Sequence, residues 1–153
     1  ERELQYMLGR SLLVAPPFDR ERYEVYLPEG KWLDLRTKEI IEGKRYVTVC
    51  PDISELPVYL REDSILPLPG ESGAALVEGE RFKNLKVWLL FENEMHDVFY
   101  DYDEKGELTA YKFHAYKKNG EDNLYIDTDM DIVEIKVFTS GRIENIFVNS
   151  TKL

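Results

Sequence analysis

The residue types that could carry chemistry in this chain are mainly carboxylates. The 153 residues include 30 Asp and Glu against 20 Lys and Arg, which gives a formal net charge of −10. Two carboxyl groups held close together can act as general acid and base, or as acid and nucleophile, in a hydrolysis. Because so many acidic residues bring some pair together by chance, proximity alone is weak evidence, and a solvated acidic surface is the favoured interpretation.

Histidine and cysteine offer fewer possibilities. His96 and His114 are the only histidines, and Cys50 is the only cysteine. Two histidines are too few for a histidine-based zinc site unless Asp or Glu and Cys50 converge with them, so structural or surface roles are favoured. Cys50 closes an apolar run, and buried thiols are usually inert. We therefore predict no catalytic residue, no cofactor and no metal site in this chain.

Two acidic segments share some features with calcium sites. Asp127, Asp129 and Asp131 alternate, which would place three carboxylates on one face of an extended segment, but no glycine follows to fold them around an ion. The run at 101–106 begins like an EF-hand loop, yet Lys105 and Lys112 stand where that loop needs ligands. An acidic turn is the favoured interpretation.

Short apolar and β-branched runs must position these residues. They predict strands at 12–15, 23–27, 31–34, 46–50, 58–60, 86–91, 98–100, 109–116, 124–126, 132–138 and 143–148. Tight turns at places such as 28–30 and 118–120 can only join antiparallel neighbours. The pattern predicts an all-β fold of two antiparallel β-sandwiches. One helical remnant is expected at 1–8, because Leu4, Met7 and Leu8 would share a face and Gly9 would stop the helix.

Proline and glycine mark a boundary in the middle of the chain. Pro67, Pro69 and Gly70 begin a stretch that cannot sustain sheet hydrogen bonding. We predict a proximal sandwich at 1–69, a linker or crossing loop at 70–82 and a distal sandwich at 83–153. The run from Leu12 to Ala15 is apolar at every step, as expected of a strand covered on both faces.

Composition excludes several classes of partner. The acidic charge repels phosphate backbones and anionic lipids, so we expect neither nucleic acid nor a membrane as a partner. A single cysteine allows no intrachain disulfide and favours a cytoplasmic location. The chain does not begin with Met and is too short for a (β/α)₈ barrel of about 250 residues, so we expect a fragment.

Three ordered segments carry a family resemblance. They read LGRSLLVAPP at 8–17, VYLPEGKWLDLRT at 25–37 and LPVYLREDSILP at 56–67. Together they resemble the region after the catalytic barrel in glycoside hydrolase family 31, which contains retaining α-glucosidases and α-xylosidases. The resemblance implies two C-terminal β-sandwich domains, with the barrel of the parent chain as partner and an α-linked oligosaccharide as the parent's substrate. Trp32-Leu33-Asp34 looks like the family's nucleophile motif, but its context is that of the first sandwich, so Asp34 is not predicted to be catalytic.

The resulting hypothesis is a non-catalytic C-terminal region of a retaining α-glycosidase that is inactive alone. A second copy of the chain is a further candidate partner, through the distal sandwich. Alternatively, the distal half is a carbohydrate-binding module, since sugar rings stack on flat side chains and Trp88, Tyr100 and Tyr111 are candidates. Sheet packing also favours such aromatics. A third hypothesis, an unrelated interaction sandwich, would be supported if the Leu12–Ala15 strand were fully covered within the chain and no apolar surface remained for a barrel to dock on.

Overall fold

The computed structural model describes residues 4–18, 21–52, 54–69, 85–102, 105–130 and 134–153. They belong to two compact units, Glu1–Glu62 and Asp63–Leu153. Regular structure in the described residues of both units consists of β-strands, which confirms the prediction of an all-β fold. Among the described residues, none forms a helix with the length and hydrophobicity of a membrane span.

The first unit consists of two antiparallel sheets with an apolar core between them. Its described strands are β1 (Tyr6–Leu8), β2 (Leu12–Val14), β3 (Tyr23–Leu27), β4 (Lys31–Asp34), β5 (Ile40–Glu42), β6 (Arg45–Val49) and β7 (Val58–Arg61). One sheet has the order β1-β2-β7-β4-β5, and the other pairs β3 with β6. Alternate residues of β3 turn inward, because successive side chains of a strand point to opposite faces. The core contains Leu13, Ala15, Val25, Leu27, Trp32, Val49 and Tyr59.

The helical remnant predicted at 1–8 is wrong for its described residues, 4–8. Tyr6–Leu8 is an edge strand that pairs antiparallel with Leu12–Val14. Gly9 has φ +63°, a conformation that suits a hairpin turn as well as the end of a helix. A helix of so few residues is unstable without tertiary packing, whereas the strand gains a full register with β2. The amide of Gln5 adds two hydrogen bonds to the backbone of Tyr26, at 2.7 and 2.8 Å.

The second unit is also a sandwich of two sheets. Its described strands are β8 (Ser64–Pro69), β9 (Leu85–Leu90), β10 (Met95–Tyr102), β11 (Leu108–Lys117), β12 (Asn123–Thr128), β13 (Glu134–Phe138), β14 (Asn145–Val148) and β15 (Thr151–Lys152). One sheet has the order β10-β11-β12-β14-β15 and the other β13-β9-β8. Buried residues from both sheets form one core, including Val87 and Leu89 from one sheet and Phe113, Leu124 and Ile126 from the other.

Two strand pairs in the second unit depart from the antiparallel prediction. β12 pairs with β14 in parallel, and β9 pairs with β13 in parallel. The prediction relied on tight turns, which join only antiparallel neighbours. Along the chain, β13 comes between β12 and β14 and belongs to the other sheet. The connection therefore crosses between the sheets, which allows β14 to run in the same direction as β12.

The division between the units differs from the expected boundary. The prolines of β8 lie in a strand that pairs with β9, with Pro67 opposite Val87 and Pro69 opposite Leu85. β8 is an edge strand, and proline is tolerated at an edge because its missing N–H can face away from the ladder. The strand therefore belongs to the second unit, which begins at Asp63. The linker predicted at 70–82 lies outside the described residues.

Candidate functional site

The solvent side of the five-stranded sheet in the second unit collects the residues that could bind a ligand. Alternation along β10 buries Met95 and Asp97 and leaves His96 and Tyr100 exposed. On β11, Phe113 and Ala115 enter the core and the intervening residues lie on the opposite side. We call this side of the sheet the outer face. Its ring-bearing residues are His96, Tyr100, Tyr102, His114, Tyr116, Tyr125 and Phe147.

Five of these side chains form a stack across four strands, which we call the aromatic ladder. Its members are His96, His114, Tyr116, Tyr125 and Phe147, with successive ring centroids 4.1, 4.5, 5.6 and 4.9 Å apart and interplanar angles between 10° and 25°. Strand register produces most of these contacts, because His96 is opposite His114, and Tyr125 is opposite both Tyr116 and Phe147. The stacked rings cover one another's faces, so the ladder stabilises the sheet and offers mainly ring edges to solvent.

One end of the ladder is a cluster of two histidines and a glutamate. Glu94 Oε1 lies 2.9 Å from His114 Nε2 and 3.4 Å from His96 Nε2. The hydrogen bond with His114 is the main reason that the pKa of Glu94 is held below its ordinary value. The ligand atoms of all three side chains lie within 4.8 Å of one another, and among the described residues this is the group of His, Cys, Asp or Glu that could hold a metal ion. We call it the His–Glu cluster.

The sequence interpretation missed this cluster. It required Cys50 to converge with the histidines and an acidic group, whereas Glu94 alone joins them and Cys50 is an exposed thiol after β6 in the first unit. The buried environment expected for Cys50 is therefore wrong. The sequence did contain a signal for this cluster. The turn at Lys105-Gly106 lies midway between His96 and His114, so the hairpin that it forms places the two histidines opposite each other.

The three predicted glycan-contact residues lie on different surfaces of the second unit. Tyr100 is 61% exposed on the outer face. Tyr111 is half-buried and packs against the core. Trp88 lies on the side of β9 away from the core-facing Val87 and Leu89, with its ring 5.6 Å from Phe138. The structure does not bring them together, so a single sugar ring could not use all three.

The alternating aspartates considered above as a calcium site make local hydrogen bonds where the structure describes them. Asp127 accepts a hydrogen bond from the hydroxyl of Tyr116 at 3.2 Å, and Asp129 accepts one from the backbone N–H of Lys112 at 2.8 Å. Asp131 lies outside the described residues. The two described carboxylates therefore support the hairpin β11–β12 and its flanking turn.

Asp34 in the first unit is buried and organises a turn. Its Oδ1 accepts hydrogen bonds from the backbone N–H groups of Arg36 at 2.8 Å and Thr37 at 3.2 Å. The Arg36 guanidinium lies 3.8 Å from Asp34 Oδ2 and 3.2 Å from Glu55. The adjacent Tyr59 is fully buried, and burial raises the pKa of its hydroxyl. These contacts give Asp34 a structural role in the turn after β4.

Comparison with known proteins matches part of the chain to a family. The model of the glycosyl hydrolase family 31 C-terminal domain matches residues 1–66. An alpha-glucosidase from Saccharolobus solfataricus is 42% identical over 90 residues, which are 56% of this chain and 12% of that protein. An alpha-xylosidase from the same organism is 38% identical over 72 residues, 44% of this chain and 10% of the relative.

A solved structure extends the likeness along almost the whole fold. A family 31 dextranase from Flavobacterium johnsoniae, complexed with isomaltotriose, matches 98% of this chain and 21% of its own chain with a TM-score of 0.71. At 21% identity this match shows the fold alone. The chain thus spans a small part of the relatives it matches. Its residues 1–66 match the C-terminal domain of glycoside hydrolase family 31, so this part of the chain is similar to the C-terminal region of those enzymes.

Proposed function

We propose that the chain is a non-catalytic C-terminal region that supports the catalytic barrel of a longer α-glycosidase. The observation that carries this proposal is the exposed apolar edge of the first unit. Leu4, Tyr6, Met7 and Leu8 are 38%, 53%, 42% and 58% exposed. An uncovered edge strand with large apolar side chains invites pairing with another chain, and proteins normally protect such an edge. A barrel packed on β1 would provide that protection.

The surface proposed here differs from the one expected from the sequence. The expectation was that the barrel would cover the apolar run Leu12–Ala15, but Leu13, Val14 and Ala15 are already buried within this chain. The adjacent β1 carries the exposed apolar side chains instead. Burial of Leu13, Val14 and Ala15 fits an unrelated interaction sandwich, whereas the exposed apolar edge does not, since the absence of such a surface would support that hypothesis.

The full-length protein offers a test of barrel support. Leu8→Ser should lower the temperature at which glycosidase activity is lost, because it removes apolar contact at the proposed interface. Leu108→Ser is the matched control, since Leu108 is a similarly exposed leucine, at 63%, in the second unit. If both variants lose activity at the wild-type temperature, β1 is not the supporting surface.

The proposed parent reaction is retaining hydrolysis of terminal α-glucosyl or α-xylosyl units. The names of the alpha-glucosidase and alpha-xylosidase relatives support this substrate class. Within this chain, the Trp32-Leu33-Asp34 motif ends in a carboxylate that is 4% exposed and committed to a turn. We therefore expect the 153-residue chain to release no nitrophenol from nitrophenyl α-glucoside or α-xyloside. Turnover that survives purification and disappears in Asp34→Asn would contradict the proposal.

Carbohydrate binding by the second unit is a second candidate function. Tyr100 and Tyr102 are 61% and 57% exposed and lie two residues apart on the outer face. Tyr100 is opposite Ala110, whose small side chain cannot cover a phenol ring. A sugar could therefore stack on Tyr100, which it could not do on the mutually covered rings of the aromatic ladder.

An amide NMR titration of the 153-residue chain with maltose, isomaltose and xylose-containing α-glycosides tests this candidate. Saturable shifts around Tyr100 that vanish in Tyr100→Ala would support a binding module. The control is Tyr111→Phe, because Tyr111 packs against the core and lies on the other side of β11. Unchanged spectra at millimolar sugar would remove the candidate and leave the second unit as scaffold.

A further inference from the structure

The His–Glu cluster is built by strand geometry rather than by one flexible loop. Glu94 directly precedes β10 and His96 is the second residue of that strand, so an extended backbone directs them to the same side. His114 is the register partner of His96 on β11. The ring of His114 also stacks on Tyr116 at 4.5 Å, which restricts its rotation. Two elements of secondary structure and one aromatic contact therefore hold these three side chains close together.

The distances within the cluster approach those of a zinc coordination sphere. Bonds of 2.0–2.2 Å from zinc to nitrogen and oxygen imply ligand–ligand separations of about 3.3 to 3.5 Å in a tetrahedral site. Glu94 Oε1 lies 2.9 Å from one imidazole nitrogen and 3.4 Å from the other. A metal ion in place of these hydrogen bonds requires Glu94 to move away from the imidazoles by a few tenths of an ångström. It also requires the ring of His96, now stacked on His114 with centroids 4.1 Å apart, to tilt so that both ring nitrogens point at one ion, which the exposed side chains of Glu94 and His96 can do.

We propose that Glu94, His96 and His114 bind one divalent transition metal ion, with Zn²⁺ the best match. Imidazole nitrogen favours zinc, copper and nickel, whereas calcium and magnesium prefer sites made of oxygen ligands. Three protein ligands leave a fourth tetrahedral position for water or for a group from another molecule. Asp127, opposite His114 in the sheet, adds negative charge that favours a bound cation.

This proposal goes beyond the scaffold role and is independent of it. The site would link the start of β10 to β11 across the outer face, so a bound metal would stabilise the second unit by binding the folded state alone. The cluster lies at the opposite end of the β10–β11 hairpin from Tyr102 and Leu108, which are register partners beside the turn. Metal binding and sugar binding can therefore be measured separately.

The test is a zinc titration of the untagged 153-residue chain, freed of metal with a chelator and followed by amide NMR. We expect one saturable site, with a dissociation constant on the order of 10 μM and shifts confined to residues 94–98 and 112–116. His114→Phe should weaken binding at least about tenfold while keeping a ring in the aromatic ladder. Glu94→Gln should also weaken it, since the amide is a poorer ligand of the same shape.

Two controls separate a built site from attraction to an acidic surface. Glu107→Gln removes an exposed carboxylate beside the turn of the same hairpin and should leave zinc affinity unchanged. Calcium should not saturate the same resonances. The proposal is overturned if zinc binds no more tightly than calcium, or if His114→Phe binds zinc as the unaltered chain does.

Discussion

The two units place the residues that could carry chemistry in opposite environments, buried in the first unit and at the surface in the second. In the first unit, the carboxylate of the Trp32-Leu33-Asp34 motif is buried and bonded to backbone N–H groups. In the second unit, Glu94 and both histidines lie on the outer face with their ligand atoms within 4.8 Å of one another. Residue type alone therefore does not identify a site, because burial and hydrogen bonding decide whether a carboxylate serves the fold or can meet a ligand.

Each unit also has a buried aspartate, which allows a closer comparison. Asp34 serves a local turn within three residues of itself. Asp97 is 7% exposed and accepts a hydrogen bond from the N–H of Ile65 at 3.2 Å, so it connects β10 with β8 in the other sheet. In the first unit the buried aspartate shapes the turn after β4, and in the second unit the buried aspartate joins the two sheets.

The largest expected effect concerns the turn packing of the first unit. A Cβ at Gly43 would lie 1.8 Å from the carbonyl oxygen of Pro28 and 2.6 Å from that of Gly30, so Gly43→Ala must displace backbone. We expect a loss of about 3 kcal/mol in the free energy of unfolding, measured by urea denaturation. Gly141→Ala is the control, because its added Cβ would make ordinary contacts at 3.5 Å or more. Equal losses of unfolding free energy in the two variants would contradict close packing between Gly43 and the turn at 28–30.

A second prediction distinguishes a structural from a catalytic Asp34. Asp34→Ala leaves the N–H groups of Arg36 and Thr37 without their acceptor and should cost about 2 kcal/mol of unfolding free energy. Asp122→Ala should cost less than about 1 kcal/mol, since its ion pair with Arg142 is on the surface at 3.8 Å. Chemical denaturation of both variants makes the measurement. An Asp34 variant as stable as the unaltered chain would show that the turn does not depend on this carboxylate.

The third prediction concerns the aromatic ladder of the second unit. Tyr125→Ala removes the ring between Tyr116 and Phe147 and should lower the unfolding free energy by about 1 to 2 kcal/mol. Tyr125→Phe keeps the ring and should lie within about 0.5 kcal/mol of the unaltered chain. Thermal unfolding monitored by circular dichroism compares the two. Loss of stability in the Phe variant would assign the effect to the hydroxyl rather than to stacking.

The smallest expected effect is a pH dependence in the first unit. The backbone N–H of Asp52 at 3.1 Å and the Arg36 guanidinium at 3.2 Å hold the pKa of Glu55 below its ordinary value. A lowered folded-state pKa stabilises the fold fully above the ordinary glutamate pKa, and this contribution is lost as the pH falls through the lowered value.

Carboxyl ¹³C shifts give the titration midpoint of Glu55 directly. Arg36→Ala should raise the pKa of Glu55 only part of the way, because the hydrogen bond from Asp52 is the larger cause and remains. A midpoint in the ordinary glutamate range for the unaltered chain would contradict both contacts.

Local patterns predicted much of the strand content. β3 and β4 have the predicted bounds, and the predicted strand at 109–116 lies within β11. The three ordered segments also indicated the family that the comparisons confirmed for residues 1–66. The strand β1 was missed because Leu4, Met7 and Leu8 fit a helical spacing equally well. β8 was missed because Pro67 and Pro69 are incompatible with a central strand, and only the sheet order shows that it lies at an edge.

Sequence patterns were enough to predict the all-β class and the family resemblance, because period-two alternation, turn residues and ordered motifs are local properties of the chain. Tertiary structure alone decided which residues meet. Strand register brought His96 and His114 opposite each other, with Glu94 beside them. Sheet pairing across long separations likewise made two pairs parallel and left β1 as an exposed apolar edge. These contacts depend on how distant strands align, and no local pattern specifies that alignment.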